Sequence, residues 1–233
     1  MPRAVAYGII CHDYIVRVNR YPRQGVGAGI VGEGTFIGGE AANCAVALAT
    51  WGVETWLGGN LLGDDDRGRE VLARLRGMPG LDSAAVAVER NYETPHAVIL
   101  ACDAGQRTII GAFDDLRAGP LPEEDTIAAA DAVTVEAYLG APSLAIAELA
   151  RALGKPVVSV DVGPDSPLAR VSSVVVNSSG RGGDNPAAAA RALAAAGPEL
   201  AVITLGEQGC VAATADGEVT RIPAYPVEVA DST

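Results

Sequence analysis

Gly38-Gly39-Glu40-Ala41-Ala42-Asn43-Cys44-Ala45-Val46-Ala47-Leu48-Ala49-Thr50-Trp51-Gly52 is the stretch from which the fold is read. Paired glycines allow backbone angles that a Cβ would forbid, and they let another group approach the main chain closely. From Ala41 to Thr50 the residues suit a helix, and Gly52 stands where a C-terminal cap belongs. The first turn of such a helix points unpaired N–H groups at whatever lies over the glycines, and Asn43 adds a side-chain amide. Taken alone, the stretch also reads as a tight turn and an alanine-rich helix packed on a sheet.

On its N-terminal side, Ala4–Ile10 reads as a buried strand leading to Gly8-Ile9-Ile10-Cys11-His12-Asp13. Asp13 then falls at the strand's carboxyl end, where open α/β sheets bind ligands; a loop-capping Asp is the alternative. Tyr14–Tyr21 alternates loosely, and Arg23–Gly34 is glycine-rich and reads as loop. It contains Gly27-Ala28-Gly29-Ile30-Val31-Gly32, a formal Gly-x-Gly-x-x-Gly. With no strand before it and no helix directly after it, it is not a dinucleotide fingerprint. No Gly-x-x-x-x-Gly-Lys-Ser/Thr occurs, which excludes a P-loop enzyme.

On its C-terminal side, Glu54–Asn60 reads as a strand and Asp66–Met78 as a helix, with Val71, Leu72, Leu75 and Met78 on one face. Asp64-Asp65-Asp66 reads as an N-terminal cap with a favourable dipole contact rather than a metal site. Ala84–Val88 and Ala97–Cys102 read as strands, Asp103–Gln106 as a turn and Arg107–Gly111 as the returning strand. His96, at the hairpin's base, reads as a satisfied polar residue. From Pro122 the pattern is regular: helix Glu123–Ala129, strand Ala132–Ala137, then a helix capped by Ser143 and running to Leu153 with Leu144, Ala147, Leu149 and Leu153 as its stripe. Strands Val157–Val162 and Val174–Asn177, helix Ala187–Ala196 and strand Leu200–Leu205 follow. Continuous apolar runs alternating with helices mean parallel strands covered on both faces. Glu136, Asp161 and Asn177 fall near the ends of such strands, along one ligand-binding rim; strand-end capping is the alternative for each. Cys210–Ala213 and Glu218–Ile222 form a hairpin around Asp216-Gly217.

Composition narrows the function classes. A chain of 233 residues fits one domain with an ample core, and 49% hydrophobic residues exclude a disordered chain. Aromatics at 4% make that core aliphatic and alanine-rich. The net charge of −12 argues against nucleic acid and anionic membranes as partners. The four cysteines form no Cys-x-x-Cys pair, which fits reduced thiols and a cytoplasmic location. The apolar run after Met1 is too short for a signal peptide or a membrane span.

The order Gly38-Gly39-x-x-x-Asn43, small residues, Gly52, then Gly63-Asp64-Asp65 resembles the N-terminal signature of the ribokinase-like (PfkB) family of carbohydrate and nucleoside kinases. Thr204-Leu205-Gly206-Glu207-Gln208-Gly209 is similar to that family's Thr-x-Gly-x-x-Gly turn, and the resemblance extends from Gly8 almost to Thr233. It implies one three-layer α-β-α domain over 1–233 with a mainly parallel central sheet. A small β-sheet lid is implied from about 14–37 and 92–113. It also implies an ATP-dependent kinase acting on a hydroxyl of a sugar or nucleoside. Asp13, Gly38, Gly39, Asn43 and Glu136 would bind the acceptor; Asn177, Thr204, Gly206 and Gly209 would bind the nucleotide; Asp161 would face the cleft. ATP and Mg²⁺ are the implied cofactors, with a monovalent cation as a further candidate and a homodimer through the lid as the implied assembly.

Two departures qualify what carries over. Asn177-Ser178-Ser179-Gly180 stands where the family has Asn-x-x-Glu, so Gly180 replaces the residue that helps hold Mg²⁺ and the metal ligands stay unassigned. The family's Gly-Ala-Gly-Asp, which supplies an anion hole and the general base, belongs directly after the segment ending Val229-Ala230-Asp231-Ser232-Thr233. No catalytic residue is therefore expected within 1–233, and the base and further sheet-covering helices are expected beyond Thr233. Glu40 stands where many sugar-phosphate members carry Lys, which favours a neutral acceptor. A catalytically inactive sugar-binding member is the alternative function, and a dinucleotide-dependent oxidoreductase a more distant one.

Overall fold

The main sheet grows in both directions from β1 (Arg3–Gly8), which is buried from Ala4 to Gly8 as its unbroken apolar sequence requires. The computed structural model describes residues 1–102 and 107–227. The turn expected over Asp103–Gln106 and the segment Val229–Thr233 lie outside the described residues. After β1 the chain forms β2 (Cys11–Val18) and β3 (Ile30–Gly38), then α1 (Glu40–Thr50) and β4 (Glu54–Gly59). It continues through β5 (Leu62–Gly63), α2 (Asp66–Arg76), β6 (Leu81–Asp82) and β7 (Val88–Glu89) to β8 (His96–Cys102) and β9 (Arg107–Ala112). The second half comprises α3 (Glu124–Ala129), β10 (Ala132–Glu136), α4 (Ala141–Ala152), β11 (Val157–Val160), α5 (Pro167–Val171) and β12 (Val174–Ser178). It ends with α6 (Ser179–Gly182), α7 (Pro186–Ala195), β13 (Leu200–Thr204), β14 (Cys210–Thr214) and β15 (Val219–Ile222).

The nine-stranded sheet has the order β15-β14-β13-β12-β11-β10-β1-β4-β6. Its strands run parallel from β6 to β13, and β14 and β15 add an antiparallel edge. One apolar cluster joins Ala6, Ile10 and Leu57 of the sheet side to α1 and α2; the other joins Val5, Tyr7, Val133 and Val175 to α3, α4 and α7. This is the mainly parallel α-β-α architecture that the alternating runs require. The chain builds outward from β1 to β4 and β6, then restarts on the opposite side with β10. The switch point, where such sheets bind ligands, therefore lies between the carboxyl ends of β1 and β10. A separate four-stranded sheet, β3-β2-β8-β9, stands beside it. Among the described residues no helix is long and apolar enough to cross a membrane.

Local differences from the sequence expectations have identifiable causes. The loop expected over Arg23–Gly34 ends early, because β3 starts at Ile30 and pairs Gly32 with Arg17 and Gly34 with Ile15. Cross-strand pairing recruits glycine-rich backbone that has little strand propensity of its own. Ala84–Val88 is not a strand; only Val88–Glu89 pairs, with β5. Gly140, not Ser143, caps α4, and Pro142 occupies its first turn, where a missing N–H is harmless. The buried face of α4 is accordingly Ser143, Ile146, Ala147 and Ala150, with Leu149 and Leu153 only partly buried. Gly52 lies one residue beyond the cap Trp51, at φ +83°, and its N–H bonds Ala49 O (3.0 Å) while Val53 N–H bonds Leu48 O (3.0 Å). That paired closure is why a glycine ends this helix.

Candidate functional site

Ile9 and Ile10 carry the chain from the main sheet into the small one, and Asn60 locks the crossing. Its side chain, 1% exposed, accepts from Ile10 N–H (2.8 Å) and donates to Ile10 O and Leu61 O (both 2.9 Å). Asp13 follows on β2. Cys11 Sγ donates to Asp13 Oδ1 (3.2 Å), and burial raises the Asp13 carboxyl above its ordinary pKa. Burial likewise pushes the Cys11 thiol up, reinforced by the neighbouring Asp13 charge.

The two glycines have separate reasons. Asp13 lies against Gly38, where a Cβ would come within 2.2 Å of the carboxylate. Gly39 adopts φ +94° and passes so near the main chain that a Cβ would sit 2.1 Å from Ile9 O. It forms the N-terminal cap of α1, which brings exposed Asn43 beside Ile9 and Asp13.

Glu136, at the end of β10, closes the switch point from behind. Both of its carboxylate oxygens accept from Ile9 N–H at 3.2 Å, and the Ala41 N–H of α1 bonds it as well. Burial pushes its pKa up to about 8, with the charges of Glu40 and Asp161 adding to the rise against those two N–H groups. Gly8 is a glycine for the same reason, since a Cβ there would meet Glu136 Oε1 at 2.4 Å.

In front of this wall lies a cavity of ≈ 640 Å³ between the two sheets. Asp13, Gly39, Glu40, Asn43 and Asp161 give it a polar side, while Ile99 and Ile109 of the small sheet, with Phe113, Leu116 and Tyr138, give it an apolar one. Arg107 and Asp114 complete the charged lining. Of the expected acceptor residues, Asp13, Gly39 and Asn43 line this space. Gly38 stands behind Asp13, and Glu136, 2% exposed, braces the wall. Asp161 holds φ +53°, an uncommon conformation for a residue with a Cβ. Arg107, Phe113, Asp114 and Tyr138 were not legible as site residues. Only Tyr138, just past a strand end, carried a positional signal.

The expected nucleotide residues lie further along the same sheet edge and outside this cavity. Asn177 is 4% exposed and its amide is committed: Oδ1 accepts from Val162 N–H (3.0 Å) and Nδ2 donates to Val162 O (2.9 Å). Thr204 is exposed at the end of β13, its hydroxyl 3.4 Å from Asn177 O. Gly206, at φ +58°, has no atom within 4 Å of a Cβ position, leaving backbone open to an anion. Gly209, at φ +82°, instead packs on β15, where a Cβ would meet Ile222 O at 2.0 Å. Thr204 and Gly206 therefore fit a phosphate chain. The Asn177–Gly180 stretch does not fit a magnesium site, because its amide is tied to Val162 and Gly180 offers no side-chain ligand. Asp65 acts as a cap, accepting from Gly68 N–H (2.7 Å) at the start of α2. His96 Nδ1 lies 3.1 Å from Thr94 O, a local backbone partner.

Comparison with known proteins agrees with this fold. The chain superposes on a crystal structure from Agrobacterium tumefaciens with a TM-score of 0.85 at 24% identity, covering 99% of this chain and 79% of that one. It superposes on Arabidopsis thaliana ribokinase complexed with ribose and ATP with a TM-score of 0.72 at 20% identity, covering 97% and 78%. An ATP-dependent ribose-1-phosphate kinase from Halopiger xanaduensis is 35% identical over 126 residues, 53% of this chain and 41% of that relative. The chain thus aligns with less than half the length of that curated relative. The sequence profile of pfkB family carbohydrate kinases matches residues 1–233, and the chain belongs to that family.

Proposed function

We propose that this chain provides the acceptor site and phosphate-facing turn of an ATP-dependent kinase that phosphorylates a hydroxyl of a neutral sugar or nucleoside. The observation that carries this reading is the convergence of Asp13, Gly39 and Asn43 on one cavity between the two sheets. A carboxylate such as Asp13 can accept from two hydroxyls at once, and the Asn43 amide can both donate and accept. The small sheet acts as the lid, its apolar side chains excluding water from the acceptor. ATP supplies the phosphoryl group, and Thr204 and Gly206 orient its phosphates. The proton acceptor is not assigned to any of these residues, and no step is assigned to a metal. Neutrality is supported by Glu40, Asp114 and Asp161 around the cavity, which oppose a second anion. A cytoplasmic location belongs to this reading, supported by Cys11, Cys44, Cys102 and Cys210 being in the reduced, non-disulfide state. Pairing of two copies through the lid is supported by Ile30, Val31 and Ile110 on its edge strands, each more than half exposed.

The committed Asn177 amide and the bare Gly180 favour a second reading, sugar binding without transfer. A coupled phosphoryl-transfer assay on the complete gene product, with ATP, Mg²⁺ and a panel of sugars, nucleosides and sugar 1-phosphates, separates the two. Turnover of a neutral polyol is the expected result. Calorimetric binding without turnover favours the second reading, preference for the phosphates refutes neutrality, and failure to bind any sugar or nucleoside refutes both.

A further inference from the structure

α2 fastens the small sheet to the main one at two points. At its N-terminus Asp65 accepts from Thr94 N–H (2.9 Å) and Thr94 Oγ1 (2.7 Å), just ahead of β8. Further along the helix Glu70 gathers the roots of two more strands. Its Oε1 accepts from Thr35 Oγ1 of β3 and from Arg74 Nη2 (both 2.6 Å), and its Oε2 lies 3.1 Å from Nε2 of His12 on β2. Arg74 in turn donates to Thr35 O (2.6 Å) and Thr35 Oγ1 (3.0 Å).

A Glu–Arg pair four residues apart on an exposed helix face contributes little by itself. Here the same carboxylate also bridges segments 35 and 58 residues away. His12 is buried at 6% exposure, so its ring holds one position. Side chains alternate along a strand: His12 faces α2, and its neighbour Asp13 faces the cavity. Displacing one must displace the other through the shared backbone. Glu70 does not line the cavity and has no part in the acceptor contacts described above.

We propose that Glu70 is a positioning residue: it holds the roots of β2 and β3 against α2 and thereby sets where Asp13 stands over the acceptor. The acceptor part of this inference rests on the kinase reading; the fastening part does not. The test compares the full-length protein with Glu70→Ala and Glu70→Gln by amide hydrogen exchange and by steady-state kinetics with D-ribose and adenosine as probes. In Glu70→Ala, exchange in 11–18 and 30–38 should rise about tenfold or more, while 4–8, 54–59 and 132–136 stay protected, as for a local opening. KM for the probe should rise about tenfold with kcat little changed, the signature of lost acceptor placement. Glu70→Gln should restore most of both effects, because its amide oxygen still accepts from Thr35 and Arg74. Unchanged exchange, exchange raised equally in both sheets, or an unchanged KM beside a loosened small sheet would each overturn the proposal. If the unmutated protein uses neither probe, exchange alone decides whether Glu70 fastens the sheet, and the panel described above decides the kinase reading separately.

Discussion

The Asp13 carboxylate rests on the Cα of Gly38, so close that a methyl group at position 38 would overlap it at 2.2 Å. Gly38 has no positive φ, so its backbone tolerates alanine. Gly38→Ala should therefore act by pushing Asp13 out of place, at an overpacking cost of about 1–3 kcal/mol. The expected outcome is a folded protein whose affinity for the proposed sugar or nucleoside acceptor is at least about tenfold weaker, read by calorimetry. Unaltered affinity would show that Asp13 does not hold the acceptor.

Gly39→Ala should be worse for a different reason. The new Cβ meets Ile9 O at 2.1 Å, and the backbone sits at φ +94°. Strain and overlap together should remove about 2–5 kcal/mol of stability. Gly206→Ala is the control: φ is +58° but no atom lies within 4 Å, so only about 1–2 kcal/mol is expected. Urea midpoints measure both, and equal losses would contradict the close-approach argument.

Glu136 should make stability fall as pH rises. Its folded pKa of about 8 lies above its ordinary value of 4.5. Between those values the folded protein keeps a proton that the unfolded chain releases. The group's contribution is therefore greatest below pH 4.5 and declines towards pH 8. At about 1.4 kcal/mol per pK unit the swing is on the order of a few kcal/mol. Urea unfolding at acid, neutral and mildly alkaline pH should show this decline in the unmutated protein and a flatter profile in Glu136→Gln. Parallel profiles would mean that Glu136 ionises normally.

Asn60 and Asn177 should behave as structural amides. Each bonds both the N–H and the C=O of one distant residue, Ile10 and Val162 respectively. Replacing either with alanine orphans two buried backbone groups, which costs about 2–4 kcal/mol. For Asn177→Ala the loss of stability should accompany any rise in KM for ATP. A fully stable Asn177→Ala with impaired ATP use would instead make Asn177 a direct phosphate ligand.

The parallel strands, α1 and the hairpin around Asp216-Gly217 were legible because each depends on a local run: continuous apolar residues, small helix formers between glycines, a turn pair. The failures were equally local in origin. Glycines between 23 and 34 hid β3, whose strand state comes from pairing with β2. Gly140 and Pro142 outweighed Ser143 as the start of α4. Arg107, Phe113 and Asp114 reach the cavity from β9 and the loop beyond it, where no periodicity marks a binding residue.

The amino-acid sequence by itself determined the alternation that makes a mainly parallel sheet, the glycine pair that opens α1, and the family to which the chain belongs. These depend on residue type and near-neighbour spacing. The tertiary structure alone decided what each polar strand-end residue does. Glu136 finds Ile9 across 127 positions of chain, Asn177 turns back to Val162, and Asp13 remains facing the cavity. A strand end offers the same polar group to a ligand or to a neighbouring backbone, and only the packing of distant segments determines which partner reaches it first.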